Sequence, residues 1–186
     1  AVITQPDRPV GRKQQLEASP VKTLAVQFGL PLIQPEQVKS TEVVQTLATL
    51  HAHLGVVVSF GQIISQAVLD LFPLGVINVH PSLLPKHRGA SPMAAAILAG
   101  ETETGVSIMR MDALMDHGPV YTAVKAPIHP EDTTPSLSER LSALGAKLLL
   151  QTLHELVKNP SLPAQEQNHT EATIVRRFTK EDGLLD

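Results

Sequence analysis

The stretch "INVHPSLLPKHRG", residues 77–89, joins the end of an apolar strand to a tight turn. Side chains two residues apart on a strand point to the same face, so Asn78 and His80 are expected to lie together. The loop that follows is shaped by three breakers, Pro81, Pro85 and Gly89. In open α/β sheets, ligands bind outside the carboxyl ends of the strands. The stretch therefore predicts a functional site at this strand end.

Outward from this stretch, strand-like and helical patterns alternate along the chain. The strand candidates are "AVIT", "PLIQP", "LGVVVSF", "GVINVH", "TGVSIMRMD" and "PVYTAVKAP". Helices are predicted after the Ser19–Pro20 cap, over residues 40–52, near 65–72, around 91–100 and over 134–160. The tail from about Ser161 is expected to be irregular. This alternation predicts an α/β fold with an open, mostly parallel twisted sheet and helices on both faces, a Rossmann-like arrangement.

Composition narrows the class of protein. Of 186 residues, 42% are hydrophobic and 18% charged, which is typical of a globular domain, and no apolar run approaches the length of a membrane span. The chain has no cysteine, so disulfides and thiolate chemistry are excluded, and a reducing cytoplasm is the simplest compartment. Its net charge of -3 provides no global attraction to nucleic acid. We expect a soluble, monomeric, cytoplasmic protein.

Two polar groups of residues have the chemistry expected for acyl transfer. The carboxamide of Asn78 can donate a hydrogen bond to a carbonyl oxygen that is becoming an oxyanion, and the imidazole of His80 can donate likewise or move a proton. The segment "MDALMDHG" adds the carboxylates of Asp112 and Asp116 in a loop between two strands. A carboxylate beside an imidazole favours its charged form or relays a proton through water.

Each of these residues also has a purely structural interpretation. An asparagine near a strand end commonly hydrogen-bonds a turn, a histidine before proline is extended, and "DHGP" is a good turn sequence. Three histidines without metal-ligand spacing, His87, His117 and His129, are interpreted as surface or loop residues. Basic residues in a polar loop, here Arg8, Arg12 and Lys13, are most often solvated charges.

The segments "NVHPSLLPKHRGASP" and "ETGVSIMRMDALMDHGPV" resemble the folate-dependent formyltransferases. The segments "VITQPDRPVGRKQQLEASPVKTLA" and "FTKEDGLLD" are similar to the branch of that family that formylates methionyl-tRNA, and the likeness covers nearly the whole chain. The resemblance implies a catalytic trio of Asn78, His80 and Asp116. It also implies transfer of the formyl group of 10-formyltetrahydrofolate to the α-amino group of initiator methionyl-tRNA, without a metal and without a covalent enzyme intermediate.

The resemblance also implies two sets of binding residues. Folate is expected to contact Phe60, Gly61, Gln62, Ile63, Ile64, Ser82, Pro85, Asp112 and Leu114. The loop from Gln5 to Arg12 is expected to reach the tRNA acceptor stem, where phosphates or unpaired bases would meet Arg8, Arg12 and Lys13.

Compared with the family, the chain starts after a strand and helix that carry a Gly-Thr-Pro-x-Phe motif, and "KEDGLLD" resembles a linker into a small β-barrel domain. We therefore expect residues 1–177 to form an N-terminally incomplete catalytic domain and 178–186 to begin the linker. The alternatives are formylation of an amino sugar or small amine, hydrolysis of formyltetrahydrofolate, and a non-catalytic fragment that binds ligand. The "QPDRPVGR" loop argues against the first two, and retention of the trio argues against the third.

Overall fold

The computed structural model describes residues 1–11 and 14–183, and its strands and helices alternate as the sequence predicts. The first elements in chain order are β1 (Val2–Ile3), β2 (Arg8–Val10), β3 (Gln15–Glu17), α1 (Pro20–Gln27), β4 (Leu32–Ile33), α2 (Thr41–Ala48), β5 (Gly55–Val57), α3 (Gln66–Leu69) and β6 (Val76–His80). The remaining ones are β7 (Arg88–Gly89), α4 (Pro92–Leu98), β8 (Glu103–Arg110), β9 (Val120–Pro127), α5 (Thr134–Lys158), a 3₁₀ helix (His169–Glu171), β10 (Ile174–Val175) and a second 3₁₀ helix (Lys180–Gly183). Among the helices described here, none combines the length and apolar character needed to cross a bilayer.

The chain divides into two compact units, and the first consists of Ala1–His53 and Ser59–Pro73. Its strands β1 and β4 pair in parallel. The predicted helix start is confirmed, because the Ser19 hydroxyl accepts from the Lys22 amide at 3.1 Å and Pro20 occupies the first turn of α1. The core of this unit is apolar and is formed by Val38, Leu47 and Val68, with Ile3, Ile33, Val43, Val44, Phe60, Ile64, Leu71 and Phe72 packed around them.

The segment predicted as a polar loop after β1 is instead a small antiparallel hairpin. Strands β2 and β3 pair with Arg8 opposite Glu17 and Pro9 opposite Leu16. At its turn, the Gln14 side chain donates to the Gly11 carbonyl at 3.0 Å. Strands of three residues are too short for alternation to be recognised in sequence, which is why the pattern indicated a loop.

The second unit, Leu54–Val58 and the chain from Leu74 onward, is built on a four-stranded sheet in the order β5-β6-β8-β9. The pair β5–β6 is parallel, whereas β6–β8 and β8–β9 are antiparallel. The predicted α/β class is confirmed, and the pairing in this sheet is mixed rather than mostly parallel. The β8–β9 pair is antiparallel because its connection, residues 111–119, is too short to return a strand in the parallel sense.

The "LGVVVSF" segment differs from the buried interior strand that its continuous apolar run suggests. Its ordered part, β5, has only three residues and lies at the edge of the four-stranded sheet. Val56 and Val58 are both exposed. Continuous apolar runs are typical of strands covered on both faces, and within the second unit β5 is not covered in this way.

Helix α5 covers one face of the sheet and forms the core of the second unit. It begins at a capping box in which the Thr133 hydroxyl accepts from the Ser136 amide and the Ser136 hydroxyl accepts from the Thr133 amide. One cluster in this core contains Ile77, Ile108, Leu148 and Leu156, and another contains Val106, Ala126, Leu137 and Leu141. Gly145 allows the close approach, since a Cβ there would lie 3.0 Å from a Val79 methyl group.

The tail after α5 is more ordered than its irregular sequence predicts. Gln165 exchanges backbone hydrogen bonds with Val120. Further on, β10 pairs in parallel with β7, with Ile174 opposite Arg88 and Val175 opposite Gly89. These pairings are long-range, so no local periodicity indicates them. The tail thereby lies against the loop that follows the "NVHPS" motif.

Candidate active site

Asn78 and His80 lie on one face of β6, as predicted. The alternate residues Ile77 and Val79 point to the opposite face, where Ile77 belongs to the core beneath α5 and Val79 faces Gly145. Asn78 and His80 are themselves buried at 9% and 4% exposure. The alternation of β6 therefore separates a packing face from a polar face.

The connection between β8 and β9 brings Asp116 to this polar face. It leaves the sheet next to the start of β6, where the Met111 amide donates to the Val76 carbonyl at 2.7 Å. Asp116 itself has a positive φ of 49°. Aspartate is one of the few residues other than glycine that adopt this left-handed conformation with some frequency. The turn directs the Asp116 carboxylate towards Asn78 and His80.

The two oxygens of the Asp116 carboxylate have different surroundings. Oδ2 is anchored by the Gly89 amide, which donates to it at 2.8 Å. Oδ1 accepts from Asn78 Nδ2 at 3.2 Å and lies 3.6 Å from His80 Nδ1. The predicted trio is thus brought together around one oxygen atom. A carboxylate fixed on one side and loosely contacted on the other can exchange a proton with a bound molecule.

His80 is oriented by its other ring nitrogen. Nε2 lies 2.9 Å from the carbonyl oxygen of His87, and because a carbonyl only accepts, Nε2 carries a hydrogen in this geometry. Nδ1 is left facing Asp116 and the polar face. With Nε2 protonated, Nδ1 bears a hydrogen only when the ring is an imidazolium.

Four of the predicted folate contacts lie in the second unit, as the trio does, and their side chains differ in burial and hydrogen bonding. Ser82 is fully buried and donates to the Lys86 carbonyl at 2.6 Å, so its hydroxyl is used within the turn. Asp112 accepts from the Leu114 amide at 2.9 Å and from His117 Nδ1 at 2.7 Å. Leu114 is exposed, and Pro85 follows a cis peptide bond.

The five predicted folate contacts of the other unit form a short segment, Phe60–Ile64. Phe60 and Ile64 pack on its core, whereas Ile63 is exposed. Gln62 is held by its carboxamide, which accepts from the Val38 amide at 2.7 Å and donates to the Pro35 carbonyl at 3.1 Å.

Of the predicted tRNA contacts, Arg8 lies in β2 of the β2–β3 hairpin. The Arg8 side chain is 55% exposed and forms an ion pair with Glu36 at 2.9 Å. An exposed pair of this kind contributes little to stability, so the Arg8 guanidinium is available to other anions. Arg12 and Lys13 lie outside the described residues.

Sequence reasoning missed a second polar cluster, which lies next to Asp116. Arg88 and Gln167 are buried at 6% and 8% exposure and are hydrogen-bonded to each other. His117, interpreted from sequence as a surface or loop residue, stacks on His169 with ring centroids 4.0 Å apart. His87 is also engaged, since its Nε2 lies 3.0 Å from Glu101 Oε1. The only sequence signal was the arginine within "KHRG", because the partners are about eighty residues away.

A cleft of about 620 Å³ lies beside this second cluster, a volume in the range of small-molecule sites. It is lined by Leu84, Pro85, the first residues of β9 and residues 163–168. Of the predicted folate contacts, Pro85 is the one that lines it. Within the described residues, no three His, Asp or Glu side chains converge as metal ligands would.

The polar face of β6 therefore carries the groups needed to stabilise an oxyanion and to move a proton, on an α/β scaffold of mixed pairing. Residues 1–153 match the family model described as "Formyl transferase". The chain belongs to the formyl transferase family.

Comparison with individual proteins shows which members of the family the chain is similar to. The chain is 46% identical over 185 residues to the methionyl-tRNA formyltransferase of Chloroflexus aggregans, covering all of this chain and 60% of that protein. It thus spans about three fifths of the relative's length. A solved phosphoribosylglycinamide formyltransferase from Bacillus halodurans is 27% identical, with a TM-score of 0.70 and 77% of each chain covered. A sugar N-formyltransferase from a Shewanella species is 25% identical, with a TM-score of 0.68 over 84% of this chain and 59% of that one.

Proposed function

We propose that this protein transfers a formyl group from 10-formyltetrahydrofolate to the α-amino group of methionyl-tRNA. The observation that carries the proposal is that Asn78 and His80 both face Oδ1 of Asp116. Asn78 Nδ2 lies 3.2 Å and His80 Nδ1 3.6 Å from this oxygen. The 46% identity to a relative named methionyl-tRNA formyltransferase, over the whole of this chain, supports the choice of acceptor.

In the proposed reaction the amine nitrogen attacks the formyl carbon, and the formyl oxygen becomes an oxyanion. The oxyanion accepts from Asn78 Nδ2, whose second hydrogen is not used by Asp116, and from His80 Nδ1. Asp116 relays the proton of the attacking nitrogen through water to N10 of the folate. The bond between the formyl carbon and N10 then breaks, giving the formylated amine and tetrahydrofolate.

Binding of the folate donor is proposed for the predicted residues around this cluster. The exposed Leu114 provides apolar surface, and the Asp112 loop provides backbone groups that pair with amide-like pterin edges. A contribution from Phe60–Ile64 and the assignment of residues 1–177 to one catalytic domain stay predictions. So do a monomeric state and a cytoplasmic location.

Binding of the tRNA acceptor is proposed for the β2–β3 hairpin. Replacing Arg12 by alanine should raise the KM for methionyl-tRNA, because one contact to RNA is lost, and should leave folate binding almost unchanged. Steady-state kinetics with each substrate varied in turn would measure both effects. Weaker folate binding with an unchanged KM for tRNA would contradict this location.

The first test incubates the protein with 10-formyltetrahydrofolate and methionyl-tRNA and follows formylmethionine and free formate together. Formylmethionine is expected, and it should disappear in His80→Ala. The matched control is His129→Ala, which removes an exposed histidine outside the site. Formate without formylmethionine would favour a hydrolase instead.

A second candidate is formylation of an amino sugar, favoured by the fold shared with the sugar N-formyltransferase at a TM-score of 0.68. The same assay with a nucleotide-linked amino sugar as acceptor separates the two. A faster reaction with the sugar than with methionyl-tRNA would replace the first proposal.

A further inference from the structure

The buried pair formed by Arg88 and Gln167 is not used by the chemistry proposed above. Both side chains are more than nine-tenths buried. Within the described part of the chain the guanidinium is paired with Gln167 and with His169 Nδ1, at 2.9 Å, rather than with a carboxylate. Burying a charge without an opposite charge costs free energy of folding. The buried Arg88–Gln167 pair therefore indicates a role beyond stabilising the fold.

The carboxamide of Gln167 uses all of its hydrogen-bonding capacity. Its Oε1 accepts from Arg88 Nε at 3.2 Å and from Arg88 Nη2 at 2.7 Å. Its Nε2 donates to the backbone carbonyls of Asp116, at 3.0 Å, and Gly118, at 2.7 Å. A guanidinium only donates and a carbonyl only accepts, so the orientation of the carboxamide is fixed without ambiguity.

These contacts hold Asp116 at both of its ends. Gln167 binds its backbone carbonyl, and the Gly89 amide binds its carboxylate through Oδ2 at 2.8 Å. Gly89 directly follows Arg88 in β7, so a single strand supports both attachments. Asp116 has a positive φ, a conformation that persists in a non-glycine residue when its surroundings fix it.

We propose that Gln167 is the positioning residue for Asp116. Arg88 fixes the carboxamide, the carboxamide fixes the Asp116 and Gly118 carbonyls, and this directs Asp116 Oδ1 towards Asn78 and His80. Gln167 does not touch substrate in this assignment. Its consequence for the rate rests on the proposed function, whereas its effect on the position of Asp116 does not.

The variant that tests this assignment is Gln167→Glu, which keeps the size of the side chain and a partner for Arg88. A carboxylate cannot donate, so the carbonyls of Asp116 and Gly118 lose their hydrogen bonds and face a negative charge. The matched control is Gln151→Glu. It makes the same chemical change at an exposed position of α5 that does not line the cleft.

The first readout is amide hydrogen exchange by NMR, which does not depend on activity. In Gln167→Glu the Gly89 amide, whose acceptor is Asp116, should exchange at least about tenfold faster. The flanking amides of Arg88 and Ala90 donate to the tail carbonyls of Thr173 and Val175 and should change by less than about twofold. Unchanged exchange at Gly89, or an equal rise at all three amides, would overturn the assignment.

The second readout is formyl transfer. Misplacement of Asp116 should lower kcat by about 10²-fold with little change in either KM, while Gln151→Glu stays at the unmodified rate. An unchanged kcat in Gln167→Glu would also overturn the assignment. If the unmodified protein transfers no formyl group, the proposed function fails, and the exchange measurement still decides the position of Asp116.

A second variant covers the case in which Gln167→Glu does not fold. Arg88→Lys keeps the buried charge but loses the planar fork that orients the carboxamide. Smaller changes of the same kind are expected. Relative to the unmodified protein, exchange at the Gly89 amide should rise more than at its two neighbours, and kcat should fall. The same fold-change in exchange rate at all three amides in this variant would contradict the role given to Arg88.

Discussion

Two polar clusters meet at Asp116 and differ in how completely their hydrogen bonds are satisfied. In the Asn78–His80–Asp116 cluster, the contacts to Oδ1 are 3.2 and 3.6 Å long, and one Asn78 hydrogen has no acceptor among the described residues. In the Arg88–Gln167 pair, all four positions of the carboxamide are occupied at 2.7 to 3.2 Å. A cluster with unused capacity can accept a reacting atom, whereas a saturated one provides rigidity. Substitutions in the first should change rate, and substitutions in the second should also change stability.

Breaking the first cluster at its centre should have the largest effect. Asp116→Asn removes the group that carries the proton, so formyl transfer should fall by about 10²–10⁴-fold. The fold should persist, because an asparagine oxygen can still accept from the Gly89 amide. Transfer rate and thermal unfolding would be measured beside Asp70→Asn, an exposed carboxylate outside the site. An unchanged rate would remove Asp116 from the mechanism.

Removing one oxyanion donor should have the next largest effect. Asn78→Ala should lower the single-turnover rate by about 10²–10³-fold, or about 3 kcal/mol of transition-state stabilisation. Binding of 10-formyltetrahydrofolate, measured separately by titration, should change much less. A loss of less than about tenfold in rate would mean that another group serves the oxyanion.

Breaking the second cluster should be seen in stability as well as rate. Arg88→Met leaves Gln167 Oε1 buried without its donor, at a cost of about 1–3 kcal/mol in the free energy of unfolding. Chemical denaturation would measure the loss, with Arg177→Met as the exposed control. Equal stability in the two variants would show that the pair does not stabilise the fold.

A smaller effect, on the pH dependence of stability, is expected at Asp132, a carboxylate whose hydrogen bonds are as fully satisfied as those of Gln167. Asp132, only 4% exposed at its side chain, accepts from Arg140, from the His129 amide at 2.8 Å and from the Ser136 hydroxyl at 2.8 Å. The Arg140 hydrogen bonds, followed by the His129 amide, hold the pKa of Asp132 well below its ordinary value of 3.8. The carboxylate therefore stabilises the folded state above about pH 4, and this stabilisation is lost as the pH falls further.

Asp132→Asn should accordingly lower the thermal midpoint at pH 7, and the difference from the unmodified protein should shrink on acidification below about pH 4. Thermal unfolding followed at several pH values would measure it. A difference that stays constant across this range would mean that Asp132 acts through packing and not through its charge.

The helices were the most predictable part of the fold. Ser19 with Pro20, and the long amphipathic pattern before Asn159, are local signals, and α1 and α5 begin and end close to them. The β2–β3 hairpin and β10 were not predicted, because two or three residues show no periodicity and their partners are set by the fold. The antiparallel β6–β8 pair was not predicted either, because β7 and α4 separate its strands along the chain and no local pattern sets their relative direction.

The same distinction applies to the site. That Asn78 and His80 share a face could be predicted from their spacing, because strand geometry directs every second side chain to the same side. Through its motifs the sequence also indicated the formyl transferase family. The tertiary structure was needed to show which oxygen of Asp116 faces Asn78 and His80, which nitrogen of His80 faces Asp116, and that Gln167 binds the Asp116 backbone. These contacts join residues far apart in the chain, since Gln167 is 79 residues from Arg88 and 51 from Asp116, so they form only when the backbone has folded.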